Sequence, residues 1–315
     1  MRNMRYFPLK FSKKSLQILA LVKDVLKNNE DLLPLTVRQI FYQIISLQDS
    51  PLENSKRDYG KLSRLLVKAR YCGEISFDDI EDRTRYTSNQ PIPLDELLYY
   101  YYPEAWKNQP CYVEVFVEKE GLRSFFVRVL RHLYVAVTPM RGFDSLSDVM
   151  EAAERLHEYE DRPRFIFVFS DFDPSGECIF KDFEFRLKKC LVMLGEEPIY
   201  YDEKGKNIEI SNLNVQKVAL TLKQIEKYGL PPKFVKSKDP RARGFIQKYG
   251  PEAVVELDAM PPKLLQEKIL ESVVPYLDVD EVKRIQRIEQ RVKTEGLELL
   301  KSLVNLEDTN IGEDR

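Results

Sequence analysis

Residues 164–176 read RFIFVFSDFDPSG, an apolar run that stops at an acidic, turn-forming segment. A short continuous run of Phe, Ile and Val is typical of a strand that is buried on both faces of a parallel sheet. Asp171 and Asp173 follow this strand directly. Ligands of open α/β sheets bind beyond the carboxyl ends of the strands. The stretch therefore predicts both an α/β fold and the edge of the sheet at which chemistry takes place.

Two more strands are predicted upstream of this stretch. Residues 111–117 (CYVEVFV) end at Glu118, and residues 133–137 (LYVAV) lead into Arg141–Asp144 (RGFD). Apolar residues at helical spacing predict helices at 122–132, 148–159 and 179–194. Alternating strands and helices build an open parallel sheet. Because parallel strands end at one edge, Glu118 is expected beside the two aspartates.

The first 70 residues predict a small helical module. Helices are expected at 12–27, 37–47 and 57–71, followed by an extended segment through Ile75 and Phe77. Thr36 is a candidate N-cap of the second helix, with Gln39 three residues later, as in a capping box. The third helix is basic, through Arg57, Lys61, Arg64, Lys68 and Arg70. The pattern indicates a winged-helix domain whose basic helix enters the major groove and contacts phosphates.

Charge is unevenly distributed along the chain. The formal net charge is −2, yet residues 1–70 hold 14 Lys and Arg against 6 Asp and Glu. This asymmetry predicts a basic module that faces a polyanion and an acidic module that holds cations. The Pro- and Tyr-rich stretch 91–103 (PIPLDELLYYYYP) marks the boundary between them. The predicted domains are 1–100, 101–275, and a C-terminal helix and tail over 276–315.

Composition excludes several classes of protein. Four scattered cysteines without a CxxC pair predict neither a zinc site nor a disulfide framework, and suit a reducing cytoplasm. Two histidines are too few for a multi-histidine metal cage. No apolar run approaches the length of a membrane span, and the N-terminus lacks an apolar signal region. A cytoplasmic, nucleoid-associated protein without a membrane partner is therefore expected.

Four interpretations fit the segment Asp171–Gly176. Its spacing matches an EF-hand-like loop, but the twelfth residue is Asp182 and a strand precedes it. A phosphatase of the haloacid dehalogenase type also ends a strand in Asp-x-Asp, but on its first strand. A Toprim domain combines a strand-end Asp-x-Asp with an earlier strand-end glutamate, so it alone accounts for Glu118. The fourth interpretation is a solvated acidic loop.

Tyr42 is the one side chain of the first module that is suited to nucleophilic chemistry. Arg38 lies four residues before it, so the two share a helix face. A guanidinium beside a phenol is expected to favour the phenolate and to clamp a phosphate. A tyrosine half buried in a three-helix core is the alternative.

The chain resembles the topoisomerase VI A subunit and its relative, the meiotic double-strand-break transesterase. Three Toprim segments carry the likeness: residues 117–120 (VEKE), Arg141–Asp144 and Asp171–Gly176. Residues 37–42 (VRQIFY) resemble the family's tyrosine motif and place Tyr42 on its nucleophile. The likeness covers about residues 30 to 260, but the chain is shorter than a typical A subunit and holds no ATPase.

The resemblance implies Mg²⁺-dependent cleavage of double-stranded DNA by a homodimer. Tyr42 would attack a phosphodiester and form a phosphotyrosyl link, with Arg38 stabilising the phosphorus oxygens. Mg²⁺ would be held by Glu118, Asp171 and Asp173. Strand passage would need a separate ATPase subunit. The alternatives are a Toprim nuclease that activates water, with Glu118 or Glu120 as the base, and a winged-helix DNA-binding protein without activity.

Four further segments have more than one interpretation. The basic stretch 233–243 (KFVKSKDPRAR) either follows the DNA backbone or is a solvated loop. Glu256 and Asp258 either join the metal site or cap a helix. The amphipathic segment 279–303 either forms a dimer or packs on the sheet. Tyr99–Tyr102 either packs at the hinge, which is the expectation, or stacks on bases.

Overall fold

The computed structural model describes residues 7–81, 104–140, 146–201, 207–235 and 241–310. The predicted domain boundary at 91–103, with Tyr99–Tyr102, lies outside the described residues. So do Arg141–Asp144 and the basic residues Lys236 and Lys238.

Three helices form the N-terminal part. They are α1 (Lys13–Asn28), α2 (Val37–Ile45) and α3 (Lys56–Tyr71), with the short strands β1 (Leu35–Thr36) and β2 (Ile80–Glu81). The predicted capping box of α2 is confirmed: the Thr36 hydroxyl accepts from the Gln39 amide, and the Gln39 side chain accepts from the Thr36 amide. The two strands pair in parallel, because the chain after α3 returns alongside the start of α2.

A four-stranded parallel sheet forms the second part. Its strands are β3 (Tyr112–Val117), β4 (Ala136–Pro139), β5 (Arg164–Phe169) and β8 (Leu213–Ala219), in the order β4-β3-β5-β8. Helices α4 (Glu120–Leu130), α5 (Leu146–His157) and α6 (Pro174–Met193) connect them. Every residue of β3 is buried, as expected for a central parallel strand. The predicted α/β chain with a parallel sheet is confirmed.

The other described elements surround this sheet. A hairpin of β6 (Pro198–Tyr201) and β7 (Ile208–Ile210) precedes β8, and α7 (Leu222–Tyr228), α8 (Ala242–Tyr249), α9 (Pro262–Val273) and α10 (Val279–Asn310) follow it. The predicted amphipathic C-terminal helix is α10, with Val282 and Ile285 buried. It contacts the turn before β4, where the Gln286 side chain donates to the His132 carbonyl at 2.8 Å.

Two predicted boundaries are wrong for identifiable reasons. The strand predicted at 133–137 begins at Ala136, because Arg131–Leu133 form a 3₁₀ turn that ends at Tyr134 in the left-handed conformation. The helix predicted at 179–194 begins at Pro174, because the Asp173 side chain caps it. Within the described ranges, no helix combines the length and the apolar character that a membrane crossing requires.

Candidate functional site

Glu118 and Asp171 lie together where β3 and β5 end. The Glu118 amide donates to the Phe169 carbonyl at 2.8 Å, and the Asp171 amide donates to the Glu118 carboxylate at 2.9 Å. The close placement of these two residues follows from the parallel pairing of the strands. The carboxyl edge of the sheet therefore holds two of the three predicted acidic residues, joined by the bond from the Asp171 amide to the Glu118 carboxylate.

Asp173 serves first as a helix cap. Its carboxylate accepts from the Gly176 amide at 2.6 Å, at the start of α6. The negative charge also interacts favourably with the positive end of the helix dipole. The three predicted carboxylates thus share an edge, but each is oriented by a different partner.

Gly176 packs against the backbone that carries this acidic edge. A Cβ built at this position would lie 2.5 Å from the Asp171 carbonyl oxygen and 3.1 Å from the Glu118 carboxylate. Real Cβ atoms do not approach backbone so closely, so only glycine allows α6 to start beside the two strand ends.

Gly176→Ala is therefore expected to lower the free energy of unfolding by about 1–3 kcal/mol, the usual cost of overpacking. The matched control is Gly244→Ala in α8, where a Cβ meets nothing within 4 Å and helix propensity predicts a gain of up to about 1 kcal/mol. Urea denaturation of both variants measures the difference. Equal stability of Gly176→Ala and the parent would contradict the close packing.

A lysine ammonium occupies the centre of the acidic edge. Lys119 Nζ lies 3.2 Å from Asp171 Oδ2, 3.0 Å from Glu256 Oε2 and 2.8 Å from Asp258 Oδ2. These three carboxylates raise the pKa of Lys119, although its burial opposes the charge. Glu256 and Asp258, for which the sequence left two roles open, belong to this site.

Glu256 links the sheet edge to helix α2. Its carboxylate pairs with Arg38 of α2, with Lys119, and with Lys233 at 2.8 Å. Burial works against the ionised form, but these three cations hold the pKa of Glu256 well below its usual range. Thr36 adds a weaker bond from its hydroxyl to Asp258 at 3.5 Å.

Tyr42 lies beside this network but is buried. Only 1% of the residue is exposed, and its hydroxyl has no hydrogen-bond partner among the described residues. Lys233 Nζ stands 5.2 Å from the centre of the ring. Lys233, which pairs with Glu256 of the site, therefore also lies beside the ring of the buried phenol.

The positive charge of Arg38 lowers the pKa of Tyr42, as predicted, but other influences outweigh it. Arg38 pairs with Glu256 and lies over the ring of Tyr59, with 5.2 Å between the guanidinium carbon and the ring centre. Burial raises the pKa of Tyr42, and the negative charge of Glu256 raises it further. The positive charges of Lys119 and Arg38 only partly offset this rise. The phenol is neutral in this arrangement.

Burial is also the largest influence on the pKa values of the two strand-end acids, Asp171 and Glu118. It raises the pKa of Asp171 to about 7. The positive charge of Lys119 opposes this rise, and the negative charge of Glu118 adds to it. The pKa of Glu118 is raised as well, by burial and by the charge of Asp173, although the Asp171 amide opposes the rise. Neighbouring carboxylates with raised pKa values mark a place where negative charge is undercompensated.

The donor chemistry of this edge fits Mg²⁺, which prefers carboxylate oxygens. The oxygens of Glu118, Asp171 and Asp173 do not, however, gather within 4.8 Å of one another. In the described ranges, three potential ligand atoms lie this close together at His157, Glu160 and Glu196 instead. In this structure Asp171 is directed at Lys119 and at the Leu257 amide, and Asp173 at the Gly176 amide, so the Mg²⁺ site of these three residues stays a prediction.

Only part of the predicted DNA-binding set is exposed on α3. Arg57, Lys61 and Arg64 are exposed. Lys61 pairs with Asp58 at 2.5 Å. Lys68 donates to the Lys10 carbonyl, and Arg70 is buried over the ring of Phe77. The last two side chains therefore stabilise the module itself, because the end of α3 is covered by the chain before α1 and after α3.

The basic stretch 233–243 serves more than one purpose. Lys233 belongs to the site, whereas Arg243 is exposed and Arg241 donates to the Ser175 hydroxyl at 3.0 Å.

Comparison with known proteins adds no assignment: no family model, no curated protein and no solved structure matches this chain.

Proposed function

We propose that this protein cleaves double-stranded DNA by Mg²⁺-dependent transesterification, with Tyr42 as the nucleophile. In this proposal the N-terminal helices act as a winged-helix domain that binds DNA through the exposed face of α3. The parallel sheet acts as a Toprim-type domain. The cutting unit is a homodimer, and a separate ATPase subunit is needed only if strands are passed.

One observation carries the choice of nucleophile. Within the described part of the chain the buried Tyr42 hydroxyl has no partner, and an unsatisfied buried polar group costs about 1–3 kcal/mol. A phenylalanine fills the same space without that cost, so packing does not explain the hydroxyl. Its position on α2, beside the cations that pair with Glu256, supports a chemical role instead.

The ion-pair network offers a route by which DNA exposes this hydroxyl. Arg38 and Lys233 both pair with Glu256, and a phosphodiester is a competing anion for both cations. Transfer of Arg38 to the DNA backbone removes the ion pair that joins α2 to Glu256, and transfer of Lys233 removes a second partner of that carboxylate. The same cations then lie beside the phosphorus oxygens as negative charge develops there.

The acidic edge supplies the other half of the chemistry. Glu118, Asp171 and Asp173 would hold Mg²⁺, which when bound neutralises charge on the phosphate. The Asp171 amide orients Glu118 through its hydrogen bond, and the Leu257 amide orients Asp171 at 2.8 Å. In the free protein the Lys119 ammonium compensates part of the same negative charge.

The test is incubation of supercoiled DNA with the protein in Mg²⁺ or in chelator, stopped with detergent. The expected result is DNA breaks with protein attached at the cut ends, only in Mg²⁺. Broken ends free of protein would favour the second candidate, a Toprim nuclease that activates water. The burial and raised pKa of Tyr42 are the observations that favour that candidate. Intact DNA would contradict both.

Magnesium binding is expected to weaken below neutral pH. A ligand carboxylate must lose its proton, and the pKa of Asp171 is raised to about 7, first by burial. Below this pKa, each Mg²⁺ displaces one proton, so the affinity falls by up to about tenfold per pH unit. Calorimetric titrations at three pH values from acidic to mildly basic measure the slope. Asp171→Asn is expected to flatten it, and an equal slope in the variant would contradict the assignment.

A further inference from the structure

A cavity of about 420 Å³ opens at the end of the sheet opposite to the acidic edge. It is lined by Tyr112, the first residue of β3, and by Ala136 and Val137, the first residues of β4, so it lies at the amino ends of these strands. β4 is the edge strand of the sheet. The volume is within the range of small-molecule sites.

Aromatic side chains form much of its lining. Trp106 and Tyr112 are buried, and Tyr134 and Tyr159 are half-buried. Tyr112 stacks on Tyr159 with 4.2 Å between ring centres, and Trp106 packs edge-on against Tyr112 at 4.9 Å. Four aromatic rings at one opening favour a planar, aromatic ligand over an aliphatic one.

Tyr134 is held in the lining at a conformational cost. Its φ of 59° is left-handed, a region that aromatic residues rarely adopt. Two bonds fix it there: its carbonyl accepts from the Trp106 indole at 3.1 Å, and its hydroxyl donates to Glu289 at 2.5 Å. A strained residue that its surroundings hold in place is typical of a ligand site.

Guanidinium groups complete the lining. Arg155 is fixed by the fully buried Glu114 at 2.7 Å and by Thr138 at 3.3 Å. Arg123 is half-buried and, within the described part of the chain, has no hydrogen bond or ion pair. A partly desolvated arginine without an anion is suited to a phosphate, which it binds with two parallel N–H donors. Arg131 also lines the cavity, and Glu158 is the acidic residue at its rim.

We infer that this cavity binds a nucleotide, with the base against the aromatic lining and the phosphate at Arg123. The ligand is either a free mononucleotide or the terminal nucleotide of a DNA strand, which share this chemistry. The inference does not depend on cleavage, because it uses no residue of the acidic edge and no metal.

Trp106 is the only tryptophan of the chain, so intrinsic tryptophan fluorescence reports on this cavity alone. The titrations use the full-length protein in chelator, which prevents cleavage. The probes are thymidine 5′-monophosphate, thymidine, and a short oligothymidylate with and without a 5′-phosphate. The variants are Arg123→Ala and Arg123→Lys. The control is Arg291→Ala, because Arg291 is exposed and its ion pair lies along α10, with Glu295.

A saturable change in fluorescence with thymidine monophosphate identifies a free nucleotide as the ligand. A saturable change that only the phosphorylated oligonucleotide produces identifies a DNA end. In either case the dissociation constant is expected to rise about tenfold or more in Arg123→Ala and on removal of the phosphate. Arg123→Lys restores part of the loss, and Arg291→Ala leaves binding unchanged. No saturable change with either phosphorylated probe, or equal binding by Arg123→Ala, would overturn the inference.

Discussion

Tyr42→Phe is expected to abolish protein–DNA attachment, with a loss of about a thousandfold or more, because no other group replaces the phenolic oxygen. Stability is expected to stay constant or to rise by about 1 kcal/mol. The reason is that the variant keeps the ring and removes a buried hydroxyl that no described residue satisfies. The measurements are detergent-trapped attachment to supercoiled DNA and urea denaturation of the same samples.

Tyr59→Phe is the matched control for this variant. Tyr59 belongs to the same module and contacts Phe41 with 5.5 Å between ring centres, and the variant keeps that contact and the ring below Arg38. Attachment is expected at the parental level. If Tyr42→Phe attaches to DNA as well as Tyr59→Phe does, transesterification by Tyr42 is wrong.

Glu118→Gln is expected to reduce Mg²⁺-dependent cleavage on the order of a hundredfold to a thousandfold, as when one charge-stabilising group is removed. The amide oxygen of glutamine can still accept the bond from the Asp171 amide, so the fold is preserved while the negative charge is lost. DNA binding is expected to be unchanged, because the exposed cations of α3 supply it. Cleavage rates and filter binding separate the two effects.

The control is Glu184→Gln on α6, whose carboxylate pairs with Lys188 at 2.6 Å along the helix and with no other described residue. It removes the same charge outside the acidic edge and is expected to leave cleavage unchanged. Equal rates for Glu118→Gln and Glu184→Gln would mean that the strand-end glutamate does not take part in the reaction.

The buried strands β3 and β5 were predictable from the sequence, and the more polar strand β8 was not. β3 and β5 are continuous apolar runs, which distinguishes them from their surroundings. β8 alternates exposed and half-buried residues and includes Gln216 and Lys217, so its pattern differs little from that of a loop. The start of α6 at Pro174 was not predicted, because Asp173 and Pro174 also fit an acidic turn motif.

The site was predictable as far as it depends on local order and strand topology. Glu118 and Asp171 meet because neighbouring parallel strands end together. The ion pairs of Lys119 and Arg38 with Glu256 join positions far apart in the chain, and no local pattern encodes them. Arg38 and Tyr42 do occupy one helix, but the charge of Glu256 outcompetes the neutral phenol for the guanidinium.

The most direct measurement is mass spectrometry of the protein after DNA cleavage, nuclease treatment and trypsin digestion. Trypsin cuts after Arg38 and Lys56, so one peptide, residues 39–56, carries Tyr42 as its only tyrosine. The account predicts this peptide with an added nucleotide on Tyr42, in Mg²⁺ and not in chelator. Cut DNA together with an unmodified 39–56 peptide would contradict it.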